Sequence, residues 1–181
     1  MRIVVSGTHA SGKSTVISDF TRRHPEFTVL PDPFELIDEM SDTPSASSFA
    51  AQLRVAADRL TDRPHRGPLI AERGPLDFLA YLLALAEIGE ARIDRETLER
   101  ATQLTSEALE TVDVLAMIPL AASAPIHVGP DEHLELRQVT DDILMELIDD
   151  PDLVGDRLRI TELSGTPAAR LAALESAAAI R

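Results

Sequence analysis

The residues best suited to chemistry stand near the start of the chain. Gly7-Thr8-His9-Ala10-Ser11-Gly12-Lys13-Ser14 satisfies Gly-x-x-x-x-Gly-Lys-Ser/Thr, with Thr15 next in line. This spacing lets two glycines turn the backbone tightly, so that successive N–H groups converge on one point and form a nest for an anion. Lys13 adds a compact charge for the β- and γ-phosphates of a nucleoside triphosphate, and the Ser14 hydroxyl is a hard ligand for Mg²⁺. Lys13 is the chain's single lysine among 17 basic side chains, and there is no asparagine. An Asn-Lys-x-Asp guanine-reading pattern is therefore excluded.

Two further positions carry acids where phosphoryl chemistry could use them. Glu72-Arg73 follows an apolar run. The acid can hold a magnesium shell or a water, and the guanidinium can reach a transferring phosphoryl group. Asp32 lies between Pro31 and Pro33 and is held rigidly. It can accept a proton from an attacking hydroxyl, although Pro and Asp are equally ordinary turn residues. Glu35, one turn on, is the reserve.

Elements to position these groups are legible along the chain. Residues 2–6 form an apolar run fit for a doubly buried strand, followed by the glycine loop and a helix that stops at His24-Pro25. A second strand is expected at 27–30, helical spacing at 34–40, a loop at 41–48 and a helix at 49–60. A third strand at 69–71 delivers Glu72-Arg73. Pro75 opens a helix that runs to Gly89, and Asp94 caps another that ends near residue 110. A fourth strand is expected at 112–118, a helix at 131–148, a fifth strand at 157–161, and a last helix opened by Thr166-Pro167. Strands alternating with helices imply a five-stranded parallel sheet covered on both faces. The candidate residues then gather beyond the carboxyl ends of its strands, where ligands bind such sheets.

The 181 residues suit one domain, 1–181, with a small lid segment at about 121–150. A net charge of −14 argues against nucleic acid and anionic membrane as partners. The absence of cysteine excludes disulfides and thiolate zinc sites. The opening Met-Arg-Ile-Val-Val-Ser-Gly does not read as a signal peptide, and no apolar run reaches membrane-spanning length. A cytoplasmic protein is expected.

The order GTHASGKST, then PDP, then ERGPLDFLAYLLAL resembles the P-loop nucleoside and nucleotide kinases. It is most similar to the ribosylnicotinamide-kinase-like ATP-binding proteins, whose third strand ends in Asp-Arg-x-Pro-x-Asp-x-x-x-Tyr. Residues 72–81 match that pattern with Glu72 in place of the first Asp. Asp32-Pro33 and Glu72-Arg73-Gly74 also resemble the Glu-Pro and Glu-Arg-Ser motifs of deoxyribonucleoside kinases. The resemblance implies the P-loop NTPase fold of nucleoside-kinase type. It further implies ATP and Mg²⁺ as cofactors, with Ser14 and Glu72 as metal ligands and Asp32 as the base. Gln52 and Arg59, seven residues apart on one helical face, would be acceptor-binding residues. Kinases of this kind usually carry several lid arginines. Here Arg137 is the one candidate clamp, with His127 and His133 nearby. The turn Gly165-Thr166-Pro167 would flank adenine, with Arg170 stacking.

The expectation is an ATP- and Mg²⁺-dependent kinase acting on a small, nucleoside- or nucleotide-like acceptor. Lys13, Asp32, Glu72, Arg73 and Arg137 would carry catalysis. The alternatives are an NTP-hydrolysing ATPase and a nucleotide-binding regulatory module with no small-molecule acceptor.

Overall fold

Strand β1 (Arg2–Ser6) sends alternate side chains to opposite sides, as any strand must. Here both sides are apolar: Ile3 and Val5 enter one hydrophobic cluster and Val4 the other. Such a strand belongs in the middle of a sheet. The computed structural model, which describes residues 1–36, 45–62, 67–120 and 133–179, places it there. β3 (Leu69–Glu72) pairs along one edge of β1 and β4 (Val114–Met117) along the other. β2 (Thr28–Leu30) and β5 (Arg159–Glu162) lie outermost. The order is β2-β3-β1-β4-β5, every pair parallel.

Helices cover both faces. α1 (Lys13–Arg23) and α7 (Pro167–Ala177) bring Val16, Ile17, Phe20, Leu171 and Leu174 onto the face of Ile3 and Val5. α2 (Ala46–Thr61), α3 (Pro75–Glu87), α4 (Arg95–Leu109) and α5 (Leu134–Leu147) cover the face of Val4. α3 is apolar nearly all round because it packs against α2, α4 and α5 as well as the sheet. α1 follows β1 onto one face, while α3 follows the adjacent β3 onto the other. The loops leaving these two strands therefore part and open a crevice at their carboxyl ends.

Several boundaries differ from expectation for local reasons. α2 starts at Ala46, inside the expected loop, because the Ser45 side chain accepts from Ser48 N and caps it. The expected helix at 34–40 begins as a 3-10 turn, Pro33–Leu36, set by Asp32 Oδ1 accepting from Phe34 N at 3.0 Å. Residues 37–44 lie outside the described ones. A short helix α6 (Pro151–Val154) was not anticipated, although Asp150 caps it and Pro151 fills its first position. β5 sits two residues later at its start than expected, in register with β4 through Val114 and Arg159. Among the described residues no helix is long and apolar enough to cross a membrane.

Candidate active site

Gly7 leaves β1 at φ 148°, and a Cβ there would lie 2.6 Å from Ile118 O and 2.9 Å from Ser11 Oγ. Only glycine passes. Ala10 (φ 52°) and Gly12 (φ 95°) are both left-handed, and such alternation curls a loop into an anion nest. Lys13 opens α1 with 4% of its surface exposed, and its Nζ donates to Thr8 O at 2.7 Å. Burial, then the nearby Arg73 charge, pulls its pKa from 10.5 to about 8, against the attraction of Asp77, Glu72 and Asp32. An incoming anion would raise it again. The Thr8 and Ser11 hydroxyls are buried with no hydrogen-bond partner, so the loop holds spare donors for phosphate oxygens.

The base of this loop is pinned from α3. Asp77, fully buried in the first turn, accepts from Ser6 Oγ at 2.7 Å and Gly74 N at 2.9 Å through Oδ2, and from Gly7 N at 2.9 Å through Oδ1. One carboxylate thus joins the end of β1, the first loop residue and the turn after β3. Burial raises its pKa; the bonds from Gly7, Gly74 and Ser6 and the charge of Arg73 oppose that rise.

Across the crevice, Ser14 Oγ donates to Glu72 Oε1 at 2.7 Å. Arg73 is buried at φ 61°. A left-handed non-glycine residue costs on the order of 1–3 kcal/mol, so several contacts must hold it. Its N donates to Val5 O at 3.0 Å, and Nη1 lies 3.4 Å from Asp32 Oδ2. Its guanidinium also stands 5.4 Å from the centre of the Tyr81 ring. Tyr81 in turn stacks on Phe49 at 4.7 Å, and its hydroxyl accepts from His9 N at 3.2 Å. Arg73 Nε is buried without a hydrogen-bond partner. Lys13, Ser14, Asp32, Glu72, Arg73 and Tyr81 all line one cavity of about 500 Å³.

No protein-family model matches the sequence, and no curated protein does. Solved structures do. A thymidylate kinase from Candida albicans superposes with a TM-score of 0.65 at 20% identity, over 97% of this chain and 89% of the other. A deoxyadenosine kinase from M. mycoides with bound dATP gives 0.66 at 11%, over 97% of both chains. A NadR protein in complex with NR gives 0.65 at 16%, over 99% of this chain but 52% of the other. The fold is that of the P-loop kinases.

Within that fold the other expected residues separate. His9, inside the glycine loop, and Thr15, just past it, are both exposed, and of the two only His9 lines the cavity. Arg137 holds the loop's backbone: Nε donates to His9 O at 2.9 Å and Nη2 to Ala10 O at 3.4 Å. Arg170 donates to Ser11 O at 2.9 Å, so its guanidinium is engaged with the loop. Gly165 turns left-handed ahead of Thr166, whose side chain accepts from Ala169 N and caps α7 at Pro167. These turn residues do not line the 500 Å³ cavity. Neither does Gln52, which is 1% exposed and donates to Ser48 Oγ at 3.2 Å. Arg59 donates to Pro31 O at 2.7 Å and braces the turn that carries Asp32. His133 lines the cavity; His127 and the side chain of Glu35 lie outside what the structure describes.

Sequence reasoning missed Phe49 and Phe34, and met Asp77 and Tyr81 only as matched positions of the Asp-Arg-x-Pro-x-Asp-x-x-x-Tyr pattern, with no role given to them. Asp77 reads locally as an ordinary helix-start acid. Phe34, 59% exposed, and Phe49 carry no signal, yet both line the cavity with Tyr81.

Proposed function

We propose that the chain is an ATP- and Mg²⁺-dependent kinase that phosphorylates a small nucleoside- or nucleotide-like acceptor in the cytoplasm. One observation carries this reading. The Ser14–Glu72 pair beside Lys13 and the Asp32–Arg73 pair occupy walls of the same cavity, as donor and acceptor halves of a phosphoryl transfer would. The likeness in fold to a thymidylate kinase, a deoxyadenosine kinase and a NadR protein holding NR supports it.

The donor set suits magnesium. A hydroxyl and a carboxylate oxygen 2.7 Å apart are two hard ligands, and Mg²⁺ typically takes few protein oxygens while keeping waters and phosphate oxygens. Ser14 and Glu72 would hold the ion, which when bound would offset phosphate negative charge. The protein's own groups supply the rest. P-loop amides and Lys13 hold the phosphates, and the guanidinium of Arg73, a residue that lines the same cavity, stabilises the charge that develops on the transferring group. Asp32, whose Oδ2 lies 3.4 Å from Arg73 Nη1, takes the proton of the acceptor hydroxyl. Catalysis of this type is chiefly positioning and charge stabilisation.

Asp32→Asn tests the reading. It should leave Mg-ATP affinity within a few-fold and lower acceptor phosphorylation roughly 10²–10⁴-fold, measured as phosphorylated product by mass spectrometry beside phosphate release. The acceptor would come from a screen of nucleosides, nucleotides and related alcohols. Parental rates in D32N would reduce Asp32 to a turn residue. Brisk ATP hydrolysis with no acceptor would favour the hydrolase.

A further inference from the structure

Four consecutive carbonyl oxygens of the P-loop are each held by a cationic side chain. Thr8 O accepts from Lys13 Nζ, His9 O and Ala10 O from Arg137, and Ser11 O from Arg170. Arg137 belongs to α5 and Arg170 to α7, so two helices remote in sequence close on one short loop.

None of the described peptide bonds is cis. In a planar trans unit the C=O and N–H point in opposite directions. Fixing the oxygens of His9, Ala10 and Ser11 on guanidinium groups therefore turns the N–H groups of Ala10, Ser11 and Gly12 the other way. A nest works only if those N–H groups face the anion, because a flipped unit would present a partial negative charge to phosphate. The loop has a reason to flip: Ala10 is a non-glycine residue held left-handed at φ 52°. Arg170 does not line the cavity, so it reaches the loop from outside, whereas Arg137 lines the cavity and reaches the loop from its rim in α5. Both charges also add positive potential to a phosphate site in a chain of net charge −14.

We infer that Arg137 and Arg170 are positioning residues that set the direction of the P-loop amides through their carbonyls. This gives Arg137 a task other than clamping phosphate, and Arg170 one other than stacking on adenine. The inference rests on the nucleotide-binding reading above.

Calorimetric titration of the full chain with Mg-ATP, sodium tripolyphosphate and adenosine tests it, alongside melting temperatures. Arg170→Met and Arg137→Met should each weaken Mg-ATP and tripolyphosphate by about 10-fold, the usual scale for a bond from a charged group. Adenosine affinity should stay near parental. Arg170→Lys should recover most of the loss, since one donor serves Ser11 O. Arg137→Lys should recover less, because an ammonium does not replace a fork spanning two carbonyls. Parental tripolyphosphate affinity in both methionine variants overturns the inference, as does an equal weakening of adenosine and ATP. Should Arg170→Met prove too unstable to titrate, the Arg137 pair decides by the same criteria. A parent protein that binds neither Mg-ATP nor tripolyphosphate overturns the proposed function itself, which is a separate result.

Discussion

Lys13→Met should abolish Mg-ATP binding and yet stabilise the ligand-free protein. Lys13 is 4% exposed, and burial with the neighbouring Arg73 pulls its pKa from 10.5 to about 8. At 1.36 kcal/mol per unit, holding that charge in the native state costs about 3 kcal/mol below pH 8. Methionine has nearly the same length and no charge. Losing the Nζ donation to Thr8 O takes back about 1 kcal/mol, leaving a net gain of about 2 kcal/mol at pH 7. The sign can be checked through pH. The folded pKa lies below the unfolded one, so between pH 8 and 10.5 the unfolded chain binds more protons and the parent gains stability as pH rises. The advantage of the variant should therefore shrink across that window. Urea unfolding of both proteins at pH 7 and pH 10 without nucleotide measures it, and calorimetry with Mg-ATP reports the lost function. A stability difference that is the same at both pH values would refute the reasoning, as would a variant that is less stable than the parent at pH 7.

Gly7→Ala should destabilise the fold by on the order of 3 kcal/mol and remove Mg-ATP binding, because its Cβ would meet Ile118 O at 2.6 Å in a backbone at φ 148°; parental urea stability would contradict this. Asp77→Asn places an amide NH₂ against at least one of the Gly7 and Gly74 N–H donors. It should cost about 1–3 kcal/mol of stability and lower Mg-ATP affinity as the loop base shifts; unchanged melting and binding would show that the carboxylate does not pin the loop.

Local chemistry explains what could be read in the sequence. Arg2–Ser6 is an apolar run wherever it is placed, and Asp94, Thr166 and Pro75 cap or open helices through atoms within three residues of them. The P-loop is legible for the same reason, since its turn, its nest and Lys13 lie within eight residues of chain. From these, strand–helix alternation implied the parallel sheet, and the sheet implied a site at its carboxyl edge. Which side chains meet there depends on distances that no local pattern encodes. Ser14 and Glu72 are 58 residues apart, Asp77 reaches Ser6 across 71, and Arg170 reaches Ser11 across 159. Helical spacing put Gln52 and Arg59 on one face, but only the packing of α2 decided that Gln52 would be buried outside the cavity while Phe49 lines it. The sequence by itself determined a phosphate-binding loop and the strand ends beside it, because backbone conformation there follows from neighbouring residues. Only the tertiary structure decided which charges the loop would feel, because a guanidinium or carboxylate is assigned its partner by how the helices close over the sheet.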